Sequence, residues 1–332
     1  MPVLLPHEVT NNSVGKFKGL HFFNSQKGFC CRQVRLALFL KGIEFVHHSV
    51  DIEHKQQHLL KEYLSINPRG LVPAIVHRGK VIVETVDILL YLDKTFSSEI
   101  RLIPGASHDK IVRHVENADT LHMYIRTLTL GRIPRSVQKS RARGAQIAIR
   151  QAIIREKEAG VEVATYGGIP ESEAPGQSRD LQLKYWSYLR DKDFTKEEKS
   201  MASKKIFEEI FQFESKLESC QYLLGDEEND VLTLVDVVWW VIVGRFFNVL
   251  RDEKKEQFKK HAPNVWQWHE RLKSKHEFRN EYDEDSALMK LVVGYNDFTE
   301  NASNTTAFIV FLVTLLLLAF LIHYENSSSQ EK

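Results

Sequence analysis

The chain of 332 residues carries 45 Lys and Arg against 44 Asp and Glu, a formal net charge of +1, with 43% hydrophobic residues. That is globular composition for one large or two moderate domains, and it supplies no whole-molecule field for nucleic acid or acidic lipid, so any such binding needs a local patch. Three cysteines, Cys30, Cys31 and Cys220, follow no disulfide-framework spacing and point to a reducing compartment, and the N-terminus lacks the regions of a signal peptide.

In chain order, an apolar and aromatic run at 20–25 predicts a strand, and Val34, Leu36, Leu38, Phe39 and Leu40 predict a helix over about 29–42 closed by Gly42. Residues 44–53 read as a second strand, and 54–65 as a short helix before the breaker Asn67-Pro68-Arg69-Gly70. LVPAIVH and KVIVET, joined by Arg78-Gly79, read as a hairpin, and Thr85 to Phe96 as a helix. The order is β α β α β β α.

Past a linker at RLIPGASHD the chain from 107 to 292 reads mostly as helix, clearest over 107–130, 137–158, 195–220 and 233–250. EAGVEVATYGGIPESEAPGQS, 158–178, is rich in Gly, Pro and polar residues and reads as a loop. From Leu121 to Arg155 every charged side chain is basic, which suits either a solvated helix face or a surface for anionic headgroups; no aromatics interleave from 125 to 155, so nucleic acid is not an expected partner.

AFIVFLVTLLLLAFLI, 307–322, has sixteen residues, no charge and thirteen of Leu, Ile, Val and Phe. At roughly −0.3 to −0.6 kcal/mol each, those thirteen contribute on the order of −4 to −8 kcal/mol to insertion. Residues 305–324 reach the length that spans a bilayer, and a buried core helix, the alternative, ordinarily keeps a polar stripe where this segment has only Thr314. With ten residues following 322, the segment is expected to be a tail anchor with the body facing the cytosol.

The most specific stretch is NPRGLVPAIVHRGKVIVETVDILLYL, 67–92. Pro73 at the start of a strand cannot donate to a ladder and is a candidate for a cis bond, which would leave the N–H and C=O of Val72 for an extended ligand. Glu84-Thr85 sits where a strand hands over to a helix. There the Thr85 hydroxyl and N–H suit a carboxylate, and the Glu84 carboxylate suits an ammonium. Cys30 and Cys31 open a helix, where a thiol can be a nucleophile, a metal ligand or a small buried hydrophobe. No metal-ligand spacing, Gly-rich phosphate loop or hydrolase triad signature accompanies them.

This combination resembles the thioredoxin-like N-terminal domain of glutathione transferases, theta-like and zeta-like members in particular. The resemblance implies an α/β thioredoxin-like domain over 18–98 and an all-α helical domain over 107–292 with an insert at about 131–194, to which the chain adds the transmembrane helix read from composition at 305–324. YLLGDEENDVLTLVDVVWW, 222–240, is similar to the family's "YLLGD" element, with Thr233 and Asp236 as a capping box, and HAPNVWQWHERL, 261–272, to its later Pro-Asn-x-x-x-Trp helix. It further implies glutathione as co-substrate, held by Val72, Pro73, Glu84 and Thr85, with His58 on the glycyl carboxylate unless that histidine is simply exposed. The family's sulfur-facing Ser or Cys falls on Gly28 or Phe29 here, so Cys30, one or two residues later, is the candidate catalytic residue, its pKa lowered by the helix N-terminus, and Cys31 the core residue.

A transferase body, a long insert and a tail anchor together resemble the ganglioside-induced differentiation-associated proteins, although residues 281–300 are acidic where that family is basic. Two functions follow as expectations. One is a membrane-anchored transferase, a homodimer by family likeness, that conjugates or reduces apolar electrophiles. The other is a non-catalytic module of the same fold at the outer mitochondrial or endoplasmic reticulum membrane.

Overall fold

The structure is a computed structural model that describes residues 3–4, 9, 11–53, 55–158, 179–225 and 229–281. The loop expected at 158–178, beyond Glu158, and the segment 305–324 lie outside the described residues. Among the described residues no helix is long and apolar enough to cross a membrane.

The first unit is built on a sheet ordered β2-β1-β3-β4, with β1 Leu20–Asn24, β2 Val46–Ser49, β3 Ala74–His77 and β4 Lys80–Val83. β1 runs parallel to β2 and antiparallel to β3. The β3–β4 turn is made by Arg78 and Gly79, both at positive φ (51° and 73°), the backbone a two-residue hairpin requires. Strand alternation splits the apolar side chains between two layers. Phe22, Ile75 and Ile82 face α1 (Phe29–Leu40) and α3 (Thr85–Thr95) in the main core; Phe23, Ala74 and Val76 join Val50, Tyr63 and Ile66 in a smaller one. The helix expected over 54–65 is two pieces, a 3-10 turn at Gln57–Leu59 and α2, Lys61–Leu64. α1 closes with Gly42 at φ 60°, as its position in the sequence implies.

The second unit is helical. The helix expected over 107–130 is two, α4 His108–Thr120 and α5 His122–Gly131, broken where the Thr120 hydroxyl bonds the Asn117 carbonyl and Leu121 N–H reaches Ala118 O, three residues back. α6 Arg135–Glu158 packs along α7 Arg179–Asp191, then follow α8 Lys196–Phe211 and the central α9 Leu234–Val249. α10 Asp252–His261, α11 Pro263–Lys273 and α12 His276–Glu281 close the unit. The basic stretch lies mainly on α6, where Arg141 reaches Glu53 at 3.7 Å and Arg135 donates to the Asp191 carbonyl at 2.6 Å.

α9 is apolar on every side and almost wholly buried, so it has no solvated face to fix its start. Asp236 fixes it instead. Its fully buried carboxylate accepts from Thr233 N–H (3.0 Å) and hydroxyl (3.1 Å), Leu223 N–H (3.0 Å) and Trp268 Nε1–H (3.1 Å). Burial pushes its pKa up to about 6 against the pull of those donors. Asp236→Ala strands several buried donors at once and is expected to cost about 3 kcal/mol or more. Urea unfolding with circular dichroism detection measures the loss.

Candidate active site

The site forms where three loops of the thioredoxin-like unit meet the start of α5. The first loop, Asn24 to Gly28, is held from beneath by Arg35 of α1. Its Nη1 donates to Asn24 Oδ1 (2.6 Å) and Ser25 O (3.2 Å), and its Nη2 to Gln26 O (2.9 Å). Its Nε reaches both Glu281 oxygens at 2.8 and 2.9 Å.

Gly28 caps α1, so Cys30 and Cys31 lie in its first turn. Cys31 is wholly buried, its Sγ accepts from Ser25 N–H at 3.4 Å, and burial pushes its pKa up to about 12, so it is the core residue the sequence suggests. Cys30 faces the other way. Its Sγ lies 3.8 Å from His122 Nδ1, and the Thr85 side chain is near enough to pull its pKa down. A thiol acidified by the helix N-terminus is not what forms here. Burial pushes Cys30 up to about 11, with Asp119 and Glu84 adding to the rise, so desolvation outweighs both the dipole and the pull of Thr85 and the group is a neutral thiol at neutral pH.

The absence of a hydroxyl or thiol at residue 28 has a steric cause. A Cβ on Gly28 would lie 2.8 Å from Cys31 Sγ and 3.1 Å from Ser25 O. Cys31 fills the space a residue-28 side chain would need.

The second loop carries the Val72-Pro73 peptide, which is cis. Two side chains anchor the preceding carbonyl, Leu71 O, which accepts from Tyr63 Oη–H at 2.5 Å and Asn67 Nδ2–H at 2.8 Å. Val72 itself precedes the β3 ladder and makes no backbone hydrogen bond among the described residues.

The third loop is Glu84-Thr85. Glu84 sits at φ 66°, a conformation that costs a non-glycine residue on the order of 1–3 kcal/mol and recurs at ligand clamps. Its half-exposed carboxylate pairs with Arg69 Nη1 at 2.6 Å, while Thr85 opens α3 and is buried. Cys30, Glu84 and Thr85 therefore come together. His58 makes no hydrogen bond or ion pair with any of them among the described residues, but it is not a surface histidine. It is 7% exposed, its Nδ1 has no partner among the described residues, and burial pushes its pKa down to about 4, so it is neutral.

Two site residues carry no local signal in the sequence. Arg69, in the Asn-Pro-Arg-Gly breaker, is marked only by lying beside the cis turn. His122 comes from the other unit, where its ring meets Phe29 edge-on with centroids 5.0 Å apart. Its Nδ1 is 3.2 Å from Asp119 Oδ1, its Nε2 is buried without a partner among the described residues, and burial lowers its pKa against the opposing charge of Asp119.

Gly28→Ser is expected to cost about 1–3 kcal/mol, the usual range for overpacking. Adding Cys31→Ala should recover most of it, which thermal melts of the single and double variants measure.

Residues 29–95 match the family described as "Glutathione S-transferase, N-terminal domain". Similar curated proteins are glutathione S-transferase 1 of Dianthus caryophyllus, 43% identical over 67 residues, and a zeta class glutathione S-transferase of Euphorbia esula, 34% identical over 99 residues. Those stretches cover 20% and 30% of this chain and 30% and 42% of the relatives' own length. Among solved structures, the β-etherase LigF of Sphingobium sp. strain SYK-6 superposes with a TM-score of 0.55 at 21% identity, over 80% of this chain and 98% of that one. A theta class glutathione S-transferase of Xanthomonas axonopodis pv. citri, solved with glutathione bound, gives 0.52 at 14% identity, over 81% and 99%. Residues 29–95 thus match the N-terminal domain of glutathione S-transferases, and the described residues share the two-unit fold of the solved structures named above.

Proposed function

We propose that this protein is a glutathione transferase-like enzyme in which glutathione lies along residues 72–85 with its sulfur between Cys30, Thr85 and His122. The observation that carries the reading is the convergence of those three side chains in the domain that matches the family. On this reading Val72 pairs with the cysteinyl backbone, Glu84 and Thr85 hold the γ-glutamyl end, and the neutral His58 donates to the glycyl carboxylate. Arg69 already neutralises Glu84, so the ligand's ammonium would share that carboxylate with the guanidinium.

His122 supplies the base. It is neutral and within reach of the sulfur corner, and Asp119 Oδ1 lies 3.2 Å from the same Nδ1 that faces Cys30, where its charge would stabilise the imidazolium formed when the ring takes the thiol proton. The thiolate left behind would then attack an apolar electrophile and displace its leaving group as an anion; where reduction follows, the deprotonated Cys30 sulfur would attack the glutathionyl sulfur of that conjugate, forming the Cys30–glutathione disulfide as the carbon–sulfur bond breaks and the released organic group takes up a proton. One observation favours the alternative of a non-catalytic module of the same fold: the Cys30 thiol is protonated in the resting protein.

The test is retention on immobilised glutathione together with conjugation of a general electrophile. Glu84→Ala should weaken retention by about 10–100-fold, the worth of a charge-assisted hydrogen bond. His122→Gln should leave retention intact and lower kcat about 100-fold. The acid limb of the wild-type pH profile should fall below the ordinary histidine range, because burial lowers the His122 pKa, and should vanish in the variant. Retention without turnover in the wild type would favour the binding module; neither would end the glutathione reading.

Within the same proposal, residues 305–324 tether the body to an outer mitochondrial or endoplasmic reticulum membrane, facing the cytosol. Support comes from the composition of that segment. Alkaline carbonate extraction of the full-length chain should leave it with the membranes, and release would contradict insertion.

A further inference from the structure

A cavity of about 840 Å³ opens at the far end of the helical unit, between α5, α8, the end of α9 and α10. It is separate from the sulfur corner. α5 begins at His122 beside Cys30 and meets the cavity only from Leu128 onward, six residues or about 9 Å further along the helix. Its walls have two characters. Phe207 and Phe258 belong to an aromatic floor continuous with the core, and around the mouth stand Lys196, Lys199, Lys204 and Lys254 with two arginines. No Asp or Glu lines it.

The lysines are poorly neutralised. Among the described residues Lys199 Nζ reaches the Gly131 carbonyl at 3.5 Å, and Lys204 meets Glu208 at 3.8 Å. Lys196 interacts electrostatically with its exposed neighbour Glu197, which does not line the cavity. In a molecule of net charge +1 this one-signed rim is a local focus for anions, and an aromatic floor beneath it is wasted on an ion without an apolar body. A single carboxylate would neutralise one of several cations. A phosphomonoester carries about −1.5 to −2 with three acceptor oxygens, which suits several lysines and the hydroxyls of Ser200 and Ser203 beside them.

We propose that this cavity binds a phosphomonoester-headed lipid, its phosphate on the lysine rim and an acyl chain over Phe207 and Phe258. The proposal does not depend on the glutathione reading, because none of these residues belongs to that site.

The test is thermophoresis of the full-length chain in non-ionic detergent, titrated with dioctanoyl phosphatidate, dioctanoyl phosphatidylcholine, octanoate and inorganic phosphate. Phosphatidate should bind saturably, at least about tenfold tighter than each of the other three. Lys199→Gln and Lys254→Gln should each weaken phosphatidate several-fold at unchanged melting temperature, and Phe207→Ser should weaken phosphatidate while leaving phosphate unaffected. Absence of saturable binding would overturn the proposal. So would equal affinity for phosphatidylcholine, which means detergent partitioning, for octanoate, which makes the phosphate irrelevant, or for inorganic phosphate, which makes the floor irrelevant.

Discussion

The Arg35 guanidinium is the constraint on which the site depends. It is buried inside the first helix, where a charge without partners would be untenable, and its donors are distributed between Glu281 on one side and the loop Asn24 to Gln26 on the other. The loop that presents Cys30 is therefore set by a charge whose counterion comes 246 residues later. Removing one partner of such a pair typically costs about 3–5 kcal/mol, because the survivor stays buried. The position of α1, the shape of the loop before it and the docking of α12 are one arrangement rather than three.

Burial that orders the site also decides its chemistry. At an exposed helix N-terminus a thiol is held down towards the thiolate; here desolvation dominates and both adjacent cysteines are neutral. The same burial keeps His58 and His122 uncharged. The Cys30 thiol and the Asp119 carboxylate both meet His122 at its Nδ1, at 3.8 and 3.2 Å. The crowding of Gly28 by Cys31 leaves no room for a side chain at the position where the family resemblance places its sulfur-facing residue.

Much of this was legible in the sequence because it depends on neighbours a few residues away. Apolar runs marked the strands, Thr233 and Asp236 marked the start of α9, Val72-Pro73 stood out at the start of a strand, and Glu84-Thr85 where a strand hands over to a helix. What could not be read depends on tertiary proximity: the break at Leu121 that brings His122 to Cys30, the Arg69 to Glu84 pair, and the Arg35 to Glu281 pair. The pKa of Cys30 belongs to the same class. Its position in the helix is visible in the sequence, but its desolvation is a property of the packed molecule.

The central claim is that one glutathione molecule touches both histidines, His58 at its glycyl end and His122 at its sulfur, one from each unit of the fold. Histidine-selective ¹⁵N spectra titrated with glutathione test it most directly, since both rings are neutral at the start and one is placed to donate and the other to accept. The account predicts that the His58 and His122 ring signals shift together along one saturation curve while His108, an exposed ring, stays fixed. Saturable binding that leaves His58 and His122 unmoved would contradict it.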